Sequence, residues 1–205
     1  MSSRGGACCL ALAIVGVAWA SCYTPRMAAA GIERSYGPGR AWLHWIIAAL
    51  VLAMIAIGVV MARTLDDALR LDLYRVHLGL GWVVVALSVW RLVLRARRPV
   101  APPAGLAAWN RRLFRGVHWA VAVFPLLLAV SGMGTMLQND LLPLILAGDA
   151  PPASLPEEQA RAGHQLGAYL FSALLLVHVA GIVRHQARFG GALAPMRPLG
   201  RAPRG

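Results

Sequence analysis

Residues 163–178 read GHQLGAYLFSALLLVH, an apolar run with no acid, arginine or proline, opened by His164 and closed by His178. Continued to Val183, it reaches the roughly 20 mostly apolar residues that a bilayer-crossing helix needs. The two histidines are fourteen residues apart. At 3.6 residues per turn that is nearly four turns, so both rings project from one face, about 21 Å apart along the axis. An ionisable side chain held in hydrocarbon is costly and by default functional. One helix therefore offers an imidazole to each half of a membrane.

The rest of the chain repeats the pattern. Three more apolar stretches are long enough to span, Ala41–Ala62, Tyr74–Val93 and Leu113–Leu137. Trp42, Trp45, Trp90 and Trp119 stand near their ends as interfacial anchors. The runs are long and lack period-two alternation, which excludes strands. With 59% hydrophobic and 14% charged residues in 205, the composition excludes an ordinary soluble domain. We expect an all-α integral membrane protein, a single four-transmembrane-helix bundle.

Arginine sets the orientation, for the chain has no lysine and a net charge of +12. The segment from Arg91 to Arg115 holds seven arginines and the tail from Arg184 to Arg204 five more, none accompanied by an acid. The other two connections are balanced or acidic, with Asp66, Asp67 and Asp72 in one and Asp140, Asp149, Glu157 and Glu158 in the other. The positive-inside rule places both ends and the middle loop in the cytoplasm, N-in and C-in, as a multi-pass protein. Arginines between spans, rather than along an amphipathic face, argue against nucleic acid. Residues 1–31 read as an N-terminal extension, with Met27 as an alternative start and the apolar run Ala7–Trp19 too short to span. Cys8, Cys9 and Cys22 all fall within it and make no ligand spacing with a histidine. The four-helix domain covers residues 32–198, and residues 199–205 form a basic cytoplasmic tail.

This topology gives each histidine a depth. His77 and His164 share the outer half, whereas His178 lies in the inner half with His44 and His118. Paired imidazoles from neighbouring helices are a way to hold haem iron, and two pairs at two depths imply two haems b stacked across the bilayer. The outer pair is His77 with His164. The inner pair is His178 with either His44 or His118, which spacing alone does not separate. Gly81, Ala48, Gly167 and Gly181 lie one turn from these histidines and would leave room for a flat macrocycle, although small residues also line helix contacts. His185, just past the last span, is a candidate contact to a haem propionate or a quinone. A haem-free transporter whose histidines carry protons or bind a transported metal is the alternative from another class. A proton path would be expected to place acids within the spans, and all eight lie outside them. Hydrolytic and phosphoryl-transfer motifs are absent from the sequence.

The order and spacing of these residues resemble the bacterial cytochrome b561 family over roughly Ile32 to Pro198. The likeness rests on Arg40-Ala-Trp-Leu-His44-Trp, Tyr74-Arg-Val-His77-Leu-Gly79, Arg91-Leu-Val-Leu-Arg95 with Arg97-Arg98-Pro99, Gly163-His164 and Val177-His178. It implies a small di-haem protein of the bacterial inner membrane, with His44, His77, His164 and His178 as axial ligands to the haem iron. It thus selects His44 over His118. It also implies electron exchange between a periplasmic donor, superoxide in some relatives, and the membrane quinone pool, with ubiquinone as substrate. Arg70 and Arg75, near the outer haem, would then draw in the superoxide anion. A cytochrome b anchor subunit of a hydrogenase or formate dehydrogenase shares the four-helix plan and ranks second.

Overall fold

In the computed structural model, the described residues are 38–97, 108–155, 159–191, 193 and 196. The expectations for residues 1–31 and 199–205 lie outside them. Five helices follow one another: α1 (Pro38–Met61), α2 (Asp67–Arg97), α3 (Ala108–Gln138), α4 (Leu141–Ala147) and α5 (Gln159–Phe189). Four of them are long and apolar enough to cross a membrane.

The helices outrun the apolar stretches that announce them, because backbone hydrogen bonding continues into polar termini that hydropathy does not register. Their ends follow local chemistry. Pro38 opens α1, where its fixed φ suits a first helical turn. The Asp66 carboxylate accepts from the Leu69 N–H at 2.7 Å and caps α2. Asp67 in the first turn of α2, and Arg95 and Arg97 in its last, complement the helix dipole. Pro125 lies inside α3; it cannot bond to the carbonyl four residues back, a loss that packed membrane helices tolerate. Gly190 follows α5 with φ +68°, a left-handed end that glycine adopts without strain.

Packing proceeds from α1 to α2, from α2 to α3 and from α3 to α5, whereas α5 packs closely on neither α1 nor α2. A central cluster of Ile47, Val51, Val84, Val121 and Phe171 joins the four long helices. A second cluster, Leu71, Tyr74, Leu141 and Ile145, seats the short helix α4 against the start of α2. Large side chains such as Trp90, Leu176 and Val130 project outward and exposed, the apolar perimeter that a bilayer covers.

The connection between α3 and α5 carries α4, whose seven residues are too few for periodicity to signal. Arg70 bolts it down. Its side chain, only 5% exposed, donates from Nε to the Pro151 carbonyl at 2.6 Å, from Nη1 to the Leu65 carbonyl at 3.3 Å, and pairs with Asp67. Arg75 donates to the Ile145 carbonyl in the last turn of α4 at 3.1 Å.

Candidate functional site

The gap that α5 leaves toward α1 and α2 is where the histidines face one another. Near the α4 end, His77 of α2 stands across from His164 of α5 with ring centroids 6.3 Å apart and planes at 76°. Near the opposite end, His44 of α1 faces His178 of α5 at 6.5 Å and 71°. An imidazole nitrogen binds a metal ion at roughly 2 Å, with its ring centroid about 1 Å behind it, so two rings holding one ion stand about 6 Å apart. Both pairs have that spacing.

His118 differs. Its centroid is 5.0 Å from that of His178, edge to face at 82°, too close for an ion between them. Its Nδ1 lies 2.7 Å from the Phe114 carbonyl, and its ring packs on Phe114 at 4.0 Å. It buttresses His178 from the side of α3.

The surroundings of each ring indicate which nitrogen is available. His164 Nδ1 is 2.9 Å from the Leu128 carbonyl, which can only accept, so Nδ1 carries the proton and Nε2 keeps its lone pair. The Ser131 hydroxyl lies 3.1 Å from the same Nδ1. The Nδ1 atoms of His44 and His77 are buried without a hydrogen-bond partner among the described residues. Buried ring nitrogens left in this way are costly unless something else engages the imidazole.

Glycines make room for the α4-end pair. A Cβ on Gly132 would stand 3.1 Å from His164 Cε1 and 3.2 Å from Nδ1, and one on Gly58 would stand 3.6 Å from His77 Cε1. Each stands fourteen residues after a histidine of its own helix, Gly58 after His44 and Gly132 after His118, the spacing that also puts His164 and His178 on one face. That spacing was the signal available in the sequence, and looking only within one turn of each histidine misses it. Of the glycines expected to leave room for a macrocycle, Gly167 packs against Leu128 and Gly81 against Met54, as helix contacts do, whereas the space beside Gly181 is open.

Halfway between the two pairs, Phe171 of α5 is 2% exposed and stacks on Phe124 of α3 at 5.4 Å and 12°. It lies seven residues from each α5 histidine. The two sites are therefore separated by a packed aromatic layer.

The donor set decides what kind of metal centre fits. Among the described residues no cluster of three or more His, Cys, Asp and Glu could hold a bare ion. Bare zinc or copper sites take three or four protein ligands. A pair of opposed imidazoles instead suits iron whose remaining four positions are filled by a macrocycle. The family model for prokaryotic cytochrome b561 matches residues 35–198. The chain belongs to that family. Membership makes it a multi-pass membrane protein of a transmembrane haem b electron-transfer family, in accord with its four long apolar helices. No match to a curated protein was found.

The remaining expectations fall differently within this cytochrome b561 bundle. Arg75 is exposed, whereas the Arg70 guanidinium is buried and bound to backbone carbonyls and Asp67. Arg70 is therefore a structural fastener rather than part of an electrostatic funnel. His185 is half-buried, two turns beyond His178 and near the same helix face.

Proposed function

We propose that the chain is a di-haem b electron-transfer protein of the bacterial inner membrane, N-in and C-in, joining an outer-face donor to the quinone pool. The observation that carries this is the pair of opposed imidazole couples, at 6.3 Å and 6.5 Å, displaced along one helix. We assign His77 with His164 to an outer haem and His44 with His178 to an inner one.

Bound haem b supplies a one-electron Fe(III)/Fe(II) couple. The residues do the rest. Opposed rings on separate helices would hold the iron between them, and the Leu128 carbonyl and Ser131 hydroxyl hold the His164 ring in one tautomer and orientation. Phe124 and Phe171 exclude water between the two sites, which keeps the local dielectric low. His118 holds His178 in place and is not assigned to iron. His185, at the arginine-rich end, is assigned to meeting a quinone or a haem propionate. Superoxide is the outer-face donor that the exposed Arg75 favours, since a cation near the outer site attracts an anion.

The test is optical. Purified protein should give about two haems per chain in a pyridine-haemochrome assay. Superoxide should reduce that haem, and ubiquinone should reoxidise it. Protein carrying no haem would refute the proposal, and haem that superoxide leaves oxidised would remove superoxide as donor.

A further inference from the structure

The pocket that opens beside His44 carries more positive charge than any axial ligand needs. It is lined by Arg40, Arg91 and Arg95 together with His44, His118 and Met196. Arg91 and Arg95 are one turn apart on α2, so they share a face. Arg40 stands one turn before His44 on α1. Arg95 is only 9% exposed, and its guanidinium lies over the Trp119 ring at 4.8 Å, which fixes its direction. Trp45 Nε1 donates to the Met196 carbonyl at 2.9 Å and holds that residue at the pocket. Whatever else these arginines touch, the described lining holds three guanidinium groups and no carboxylate.

Arg95 is buried and Arg40 and Arg91 are half-buried, and guanidinium groups gathered around one pocket beside an imidazole raise the local positive potential and favour an anion there. Guanidinium is suited to carboxylate, which it grips through two parallel hydrogen bonds. We propose that Arg40, Arg91 and Arg95 form a carboxylate clamp for the two propionates of the haem held by His44, and that this clamp makes that haem the higher-potential one. This rests on the di-haem assignment above and adds to it a polarity. Adding one electron makes the iron centre one unit more negative, so nearby fixed cations favour the reduced state. The His77–His164 site has no comparable surplus. Arg70 there is neutralised by Asp67, and the acids Asp66, Asp72, Asp140 and Asp149 offset Arg63, Arg75 and Arg161 at the same end. Electrons at equilibrium should therefore rest on the His44 side, which the arginine asymmetry places in the cytoplasm.

The experiment is a spectroelectrochemical titration of the purified full chain, compared with Arg91→Gln, Arg95→Gln and the double variant. Wild type should show two midpoint potentials. The higher should be the one missing in His44→Ala, and it should fall in each arginine variant while the lower stays put. Where a glutamine variant loses haem, Arg95→Lys restores the charge and should return both the haem and most of the midpoint. Wild-type apoprotein refilled with haem whose carboxylates are methyl esters provides a second arm. One site should then bind at least tenfold more weakly, and phosphate added as a competing anion should not reproduce the effect. Two haems with unchanged midpoints in the double variant, or equal binding of the ester at both sites, would overturn the clamp and leave the di-haem assignment standing. A wild-type chain with no haem would instead fail that assignment itself.

Discussion

Gly132 on α3 lies against the ring of His164 on α5, so close that a methyl group there would press on Cε1 at 3.1 Å. The same ring is held by the Leu128 carbonyl at 2.9 Å, one turn earlier on α3, so a ring retreating from the methyl group would stretch that hydrogen bond. Overpacking of this kind costs about 1–3 kcal/mol. We expect Gly132→Ala to weaken one haem site and Gly132→Val to abolish it, the other site staying filled. Haem-to-protein stoichiometry, falling from two toward one, checks this. Two fully retained haems in Gly132→Val would show that the ring can shift.

The two imidazole couples are close to perpendicular, at 76° and 71°. Crossed axial planes leave the iron orbitals nearly degenerate and give strongly anisotropic low-spin spectra. Electron paramagnetic resonance of the oxidised protein should show this type of signal for both haems. His118→Ala should keep both signals, since His118 stands beside the His44–His178 couple and not within it. His44→Ala should remove one. Loss of a haem in His118→Ala together with its retention in His44→Ala would reverse the assignment.

Arg70 fastens the connection between α3 and α5 to the start of α2. Removing a buried guanidinium that donates to carbonyls leaves those acceptors unsatisfied. We expect Arg70→Gln to lower stability by about 2 kcal/mol, seen as an earlier thermal transition in detergent with haem content retained at low temperature. The salt dependence of haem reduction by superoxide should be unchanged in Arg70→Gln and weaker in Arg75→Gln. The opposite pattern would return Arg70 to an electrostatic role.

What the sequence reveals here is set by which features are local. Four spans are visible because hydrocarbon demands about 20 apolar residues in a row, and His164 and His178 declare a shared face because both ride one helix of known pitch. The depth of His77 follows from topology. The choice between His44 and His118 does not, because it depends on how α1 and α3 are rotated about their axes, which distant packing decides. Gly132 lies fourteen residues after His118 and so on its face of α3, but which ring that glycine meets depends on the same distant packing. Helix α4 escaped because Leu141–Ala147 is a short apolar run that a linker also tolerates, and the burial of Arg70 required knowing that Pro151 returns beside it.

Phe171 sits between the two couples, stacked on Phe124, with seven residues to each histidine, about 10 Å along the axis. Lipid supplies no hydrophobic drive for helix association, so α3 and α5 are held by close packing, and a buried ring at their contact matters through lost dispersion contacts. Phe171→Ala should cost about 3 kcal/mol, and Phe171→Leu about 1 kcal/mol because most of the volume is kept. The two variants separate packing from electron transfer. The leucine variant keeps both haems and the helix contact but loses the aromatic layer. If that layer only fills space, its rate of equilibration between the two sites after photoreduction should match wild type, and the alanine variant should be slower or lose a haem. We expect the first outcome, because saturated side chains in close contact exclude water as the ring does. A marked slowing in Phe171→Leu with both haems bound would show that the stacked rings contribute electronically, beyond their volume.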